Sequence, residues 1–177
     1  MAMTLLQAHS AVSDPHGDRA YADTKFVPLE GDVISKTRTV DKPTDEPRTS
    51  TTLEADTSLT VEVAADARYA VDAFLIVDGD PEAAMSLTFT APADASGSWT
   101  PMAPATAGGA EVQLKQLSFG EAATVGVTAE GVIIPPRGSV ATGATAGAFT
   151  LRWAPATTPA GPLTLRAGSW LLLTRTG

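Results

Sequence analysis

The sequence predicts an all-β fold: an antiparallel β-sandwich or jelly roll of about eight or nine strands, preceded by a partly helical, extended N-terminal arm. Apolar and polar residues alternate with a two-residue period through most of the chain after residue 49. Connectors rich in Gly, Pro and Thr separate these alternating segments. Charged residues are concentrated before residue 49, which indicates two regions of different character.

The first region begins with two predicted short helices. Residues 3–12 carry apolar side chains at helical spacing, and residues 14–17, Asp-Pro-His-Gly, are typical of a turn. A second helix is predicted over residues 18–26. Helices this short are marginal in water by themselves, so we expect the arm to need a packing partner.

Residues 27–48 complete the first region as an irregular tether. Pro28, Gly31, Pro43 and Pro47 interrupt any regular element there. The predicted domain organisation is therefore an N-terminal attachment arm and tether over residues 1–48, and a β-sandwich domain over residues 49–177.

The β-sandwich region divides into short strands with one buried face. Leu59, Val61 and Val63 alternate with polar residues, and the same alternation resumes at Tyr69. The segments with strand character are residues 59–63, 69–77, 86–90, the segment around Trp99, 112–119, 123–128, 132–134, 139–142, 148–153, 163–165 and 169–174.

Composition excludes several classes of function. The net charge is −8 and the isoelectric point is near 4.6, whereas a nucleic-acid partner requires a basic surface. The absence of cysteine excludes disulfides and thiolate metal sites. No apolar run is long enough to span a bilayer, and residues 1–12 lack the features of a secretory signal. We expect a soluble protein that does not act at a membrane.

Catalytic chemistry is not expected. A Ser-His-Asp triad needs a histidine in the folded domain, and the two histidines, His9 and His16, lie in the arm. Copies of these side chains around a symmetry axis could bind a metal ion, but Pro15 separates them, and local hydrogen bonding in a turn is the favoured interpretation. We predict no enzyme activity, no cofactor and no metal site.

Two loop motifs have some of the residues of known ligand sites. Asp78, Asp80 and Glu82 resemble the start of a calcium loop, which also needs a bidentate Glu at its twelfth position. Phe89 occupies that position, so a solvated turn is predicted. The glycine-rich residues 143–147 lack the Lys-Ser/Thr of a phosphate loop and predict a tight hairpin or close backbone approach.

The three tryptophans could form a sugar-binding surface, because indole faces stack on pyranose rings. Trp153 is in phase with Phe149 and Leu151, which indicates a core position, and Trp170 is assigned to the core as well. Trp99 lies in a Gly-Ser-rich connector and remains the candidate for a glycan contact.

Two parts of the chain resemble a known group of proteins. Residues 9–23 (HSAVSDPHGDRAYAD) are similar to the openings of fibre and minor structural proteins, head decoration or minor tail, of tailed phages that infect actinobacteria. Residues 143–153 and 165–171 resemble the closing strands of the same proteins, and residues 67–78 do so more loosely. These motifs are structural and carry no chemistry.

The resemblance implies a non-enzymatic virion component, made in the host cytoplasm and carried on the surface of the phage particle. Its homotrimer would dock on the major capsid protein or on tail proteins through the arm and project the β-domain outward. Only a short irregular segment separates arm and domain, which favours a capsid decoration or short head-fibre protein over a long tail fibre. The candidate attachment or oligomerisation residues are Leu5, Leu6, His9, Val12, His16, Tyr21 and Phe26.

An alternative function remains open from the sequence alone. The chain could be a tail-associated host-binding module whose β-domain recognises a cell-surface glycan through Trp99. Loss of glycan binding on substitution of Trp99 would favour this alternative.

Overall fold

The computed structural model describes residues 37–177, which form twelve β-strands in two antiparallel sheets. The predicted helices of the arm lie outside these residues. The strands are β1 (Thr37–Asp41), β2 (Glu46–Arg48), β3 (Glu54–Val63), β4 (Arg68–Asp78), β5 (Met85–Thr90), β6 (Ser96–Thr100), β7 (Ala123–Val125), β8 (Val132–Ile134), β9 (Arg137–Ala141), β10 (Gly147–Pro155), β11 (Leu163–Leu165) and β12 (Trp170–Arg175).

The larger sheet has eight strands and is built around β4, in which buried and partly exposed residues alternate over its whole length. The registers place β12 and then β11 along one edge of β4, and β9 and then β8 along the other. Next to β12 and β11 run β1 and β2, so these two short strands form one interrupted edge of the sheet. At the opposite edge, β6 pairs with β9.

The smaller sheet has four strands in the order β3, β10, β5, β7. The register between β3 and β10 shifts between Thr150 and Arg152, which is the signature of a β-bulge. The bulge comprises residues 56–59 of β3, which lie opposite Leu151 and begin with Asp56.

One hydrophobic core contains buried side chains from both sheets. Phe89 stacks on Phe149 with ring centroids 5.2 Å apart, and Trp99 meets Phe89 edge-on, also at 5.2 Å. Aromatic pairs in these orientations add to the hydrophobic stabilisation from burial. The core is therefore better filled with large side chains than the aromatic content of 6% suggests.

The backbones of β6 and β9 approach each other closely at Gly97. Gly97 has a φ of +144°, and a Cβ placed on it would lie 2.1 Å from the carbonyl oxygen of Ser139. Only glycine satisfies both constraints at this position.

The predicted fold class is confirmed, since the described residues are all-β, antiparallel and arranged in two sheets. Two predictions about elements were wrong. Residues 112–119 form no strand and make only isolated bridges, Trp99 with Leu117 and Pro104 with Val112. Residues 37–41 and 46–48 belong to the larger sheet instead of an irregular tether, because their backbones pair with β12 and β11. No helix in residues 37–177 is long and apolar enough to cross a membrane.

Candidate functional site

The predicted attachment residues lie outside the part of the chain that the structure describes. This holds for Leu5, Leu6, His9, Val12, His16, Tyr21 and Phe26. The candidate sites described below therefore belong to the β-domain.

Trp99 does not offer an indole face to a sugar. Its side chain is 2% exposed, and its Nε1 donates a hydrogen bond to the carbonyl oxygen of Ser118 at 3.3 Å. The prediction of a glycan contact at Trp99 is corrected by this burial: the connector that carries Trp99 forms β6, and the ring points into the core.

The other two tryptophans differ from each other. Trp153 is fully buried, as predicted. Trp170 is only partly buried and stacks on Phe74 at 5.9 Å, on the face of the larger sheet that points away from the core. The predicted core position of Trp170 is therefore wrong.

The most unusual feature of the domain is a group of four charged residues and one tryptophan between the two sheets. We call it the Lys42 network, and it consists of Lys42, Glu46, Arg48, Asp56 and Trp153. The Lys42 side chain is 2% exposed and that of Asp56 is 0% exposed. Lys42 Nζ donates to Asp56 Oδ2 at 2.7 Å and to Glu46 Oε2 at 2.5 Å. Buried charges are stable only when they are paired and hydrogen-bonded in this way.

Both oxygens of the Asp56 carboxylate are fully engaged. Oδ1 accepts the backbone N–H groups of Ser58 and Leu59, each at 3.0 Å, because the bulge in β3 turns these groups toward it. Oδ2 accepts the indole N–H of Trp153 at 3.0 Å in addition to Lys42. Burial raises the pKa of Asp56, but hydrogen bonds from Lys42, Trp153 and Leu59 outweigh it and lower the pKa overall.

Arg48 positions Glu46 from the outer side of the network. Its Nε and Nη2 donate to Glu46 Oε1 at 2.8 and 2.6 Å, and its guanidinium lies 4.1 Å from the centre of the Trp153 ring. Glu46 and Arg48 lie on β2, whereas Asp56 and Trp153 lie on β3 and β10. The network therefore connects the larger sheet to the smaller one.

The backbone of Lys42 is fixed as well. Its N–H donates to the carbonyl oxygen of Ser169 at 2.8 Å, and its own carbonyl accepts from Gly168 at 3.0 Å. Lys42 occupies the interruption between β1 and β2, so its side chain can turn inward toward Asp56 while both strands keep their pairing.

Two of the three carboxylates that resemble a calcium loop, those of Asp78 and Asp80, have partners within the protein. Asp78 pairs with Arg166, which also pairs with Asp45 at 2.7 Å. Asp80 accepts backbone N–H groups of Glu82 and Ala160, and these bonds lower its pKa. Within residues 37–177 no group of three His, Cys, Asp or Glu side chains could hold a metal ion.

Two apolar patches lie on the surface of the domain. The first, which we call the outer apolar face, is on the larger sheet and consists of Phe74, Ile76, Ile133, Trp170 and Leu172. Ile133 is 51% exposed and is the cross-strand neighbour of Ile76. The second, the 112–114 patch, consists of Val112 (50% exposed) and Leu114 (70% exposed). Exposed apolar patches of this kind are typical of protein contacts.

Sequence reasoning missed the Lys42 network and the outer apolar face. Lys42 is flanked by Asp41 and Pro43, and nothing in that context distinguishes it from a solvated lysine. The outer face has a weak signal in the sequence, since Phe74, Ile76, Trp170 and Leu172 occupy the positions between buried residues of β4 and β12.

Comparison with known proteins gave no family. No protein-family model matches the chain, and no curated protein matches it significantly. Among solved structures, the chain is similar to those of infectious bursal disease virus Gx and Gt strains, each at 12% identity and a TM-score of 0.27. A VP2 subviral particle of the same virus matches at 9% identity and a TM-score of 0.20. These matches cover 78% of this chain and 39 to 40% of the viral chains, so the chain spans about two fifths of their length. TM-scores this low do not establish a common fold.

Proposed function

We propose that the protein is a non-enzymatic structural component of a phage virion, a capsid decoration or short head-fibre protein. In this proposal the N-terminal region attaches the chain to the particle and the β-sandwich projects from it. The observation that carries the proposal is the pair of exposed apolar patches on a sandwich whose two sheets are joined through a buried ionic network.

Those patches suit assembly better than small-molecule chemistry. The buried polar side chains of the described residues all have hydrogen-bond partners inside the protein, so no unpartnered buried polar group marks a substrate pocket there. Apolar side chains at the surface gain stability when another protein covers them.

We further propose that the partner of these patches is a second copy of the chain, in a homotrimer. A cyclic trimer uses heterologous contacts, in which one surface of each copy meets a different surface of the next. The outer apolar face and the 112–114 patch supply two different apolar surfaces on one domain. The 112–114 patch of one copy would then pack on the outer apolar face of its neighbour.

Light scattering of the full chain tests the trimer. The full chain should have three times its mass of 18.1 kDa, and Ile133→Ser and Leu114→Ser should each reduce it to a monomer. Arg175→Ser, at an exposed position on β12, is the matched control and should remain a trimer. A monomeric wild type, or trimers of both patch variants, would contradict the proposed contact.

Attachment is tested with phage particles that lack the protein. The full chain and a truncation that begins at Lys36 are added to such particles, and bound protein is measured after sedimentation. We expect the full chain to bind and the truncation to stay folded and unbound, because residues 36–177 contain all twelve strands. Equal binding of the truncation would refute attachment through the arm. A truncation at Thr49 is unsuitable because it removes β1, β2 and Lys42.

A further inference from the structure

The Lys42 network places a primary amine against a carboxylate inside the protein, and a second carboxylate also contacts the amine. We propose that Lys42 and Asp56 condense spontaneously to form an intramolecular amide bond, with Glu46 as the proton-transferring catalytic residue. The bond would join the edge of the larger sheet to β3 of the smaller sheet. This inference is independent of the proposed function, because the modification concerns the isolated chain.

The reacting groups are already hydrogen-bonded to each other. Lys42 Nζ is 2.7 Å from Asp56 Oδ2, and both side chains are shielded from water. Holding two reacting groups in one fixed arrangement removes the entropy cost of bringing them together. The backbone of Lys42 is fixed by bonds to Gly168 and Ser169, so the amine has little freedom to move away.

Glu46 is placed to move the protons. An ammonium group cannot attack a carboxyl carbon, so Lys42 must first lose a proton, and Glu46 Oε2 lies 2.5 Å from its Nζ. Arg48 binds the other oxygen of Glu46, which leaves Oε2 directed at the amine.

The surroundings of Asp56 also suit the reaction. When the amine adds to Cγ, negative charge develops on Oδ1, which already accepts two backbone N–H groups from Ser58 and Leu59. Donors arranged in this way stabilise the tetrahedral intermediate of acyl transfer. Oδ2, which faces Lys42 and the indole N–H of Trp153, is the oxygen that leaves.

The step balances without any further reactant. The Nζ–Cγ bond forms, the Cγ–Oδ2 bond breaks, and Oδ2 leaves as water with two protons from the Lys42 ammonium. Glu46 accepts the first of these protons, which frees the amine to attack, and the second moves directly from Nζ to Oδ2 along their hydrogen bond. Glu46 gives its proton to Oδ2 as that oxygen leaves, so it ends the cycle unchanged. Nothing is oxidised or reduced. The product is a neutral amide, so two buried charges disappear, which removes the desolvation cost of the ion pair.

Mass spectrometry of the denatured full chain tests the bond directly. We expect a mass lower by one water than the sequence requires. Trypsin should cleave after Arg38, Arg48 and Arg68 and leave Lys42 uncut because proline follows it. Peptides 39–48 and 49–68 should therefore appear joined. A full sequence mass, or a loss of water with the two peptides separate, would overturn the proposal.

The role of Glu46 is tested by Glu46→Gln, with Glu62→Gln on an exposed position of β3 as the matched control. Folding of both variants is verified by near-ultraviolet circular dichroism. The Glu46 variant should keep the full sequence mass, while the control should lose one water. Loss of water by folded Glu46→Gln at the wild-type rate would exclude Glu46 as the proton carrier. The wild-type mass and peptide map decide the existence of the bond even if the Glu46 variant does not fold.

Discussion

Replacement of Trp99 by alanine separates a structural role for this residue from a role in sugar binding. Trp99 is 2% exposed, and its ring meets Phe89 edge-on at 5.2 Å. Removal of a buried Trp side chain costs about 3–5 kcal/mol of unfolding free energy, including the cavity that remains. Since domains of this size are stable by about 5–15 kcal/mol, Trp99→Ala should remove about a fifth or more of the total.

Trp170→Ala is the matched control for this experiment. Trp170 is partly exposed and stacks on Phe74 at 5.9 Å, so only part of its surface is removed from water. Its loss should cost about 1–2 kcal/mol, from partial burial and one aromatic pair.

Urea unfolding followed by far-ultraviolet circular dichroism measures both variants, at one protein concentration because association would shift the midpoints. The free-energy change should be larger for Trp99→Ala than for Trp170→Ala by at least about 1 kcal/mol. A change below about 0.5 kcal/mol for Trp99→Ala, the range typical of surface substitutions, would refute the buried position.

Three further substitutions test the Lys42 network, the β6–β9 approach and the acid response. Lys42→Met should lower the free energy of unfolding, measured in urea, by at least about 3 kcal/mol, because a buried carboxylate loses its partner. The control Lys115→Met, which removes an exposed ion pair, should lower it by less than about 1 kcal/mol. Gly97→Ala should lower the thermal midpoint sharply through a clash with the neighbouring strand, while Gly161→Ala, where a Cβ meets open space, should leave it unchanged. Hydrogen bonds from a backbone N–H and an arginine lower the pKa of Asp45, so its ionised form stabilises the fold above the unfolded-state pKa. The difference in thermal midpoint between wild type and Asp45→Asn should therefore be present at pH 7 and vanish as the pH falls through the folded-state pKa; a constant difference would contradict this reasoning.

The β-sandwich was predictable wherever one face of a strand is buried. In β4 and β10 the inward side chains form a simple series, from Tyr69 to Val77 and around Phe149, so the two-residue period is visible in the sequence. The same two-residue period led to the wrong prediction of a strand at residues 112–119. Val112 and Leu114 are spaced as in a strand but lie exposed in a loop. The alternation of apolar and polar residues gives the spacing of the apolar side chains, but it does not show whether they face the core or the solvent.

The edge strands and the buried charges could not be predicted. Pro47 argues against a strand, yet β2 lies at the edge of its sheet, where a missing N–H is tolerated. The burial of Lys42 depends on Asp56, which belongs to the other sheet and reaches it through a bulge in β3. Such a contact depends on the tertiary structure and cannot be seen in the local sequence. For this reason the composition of residues 27–48 predicted a solvated tether.

The presence of the chain in purified phage particles is the decisive test of a virion role. Under the proposed function a phage encodes the chain. Particles of that phage are purified through a density gradient, and the chain is quantified by mass spectrometry against the major capsid protein. We predict that it is present in a constant ratio to the capsid protein, with a copy number divisible by three. Infectious particles that contain none of the chain would contradict the proposed function.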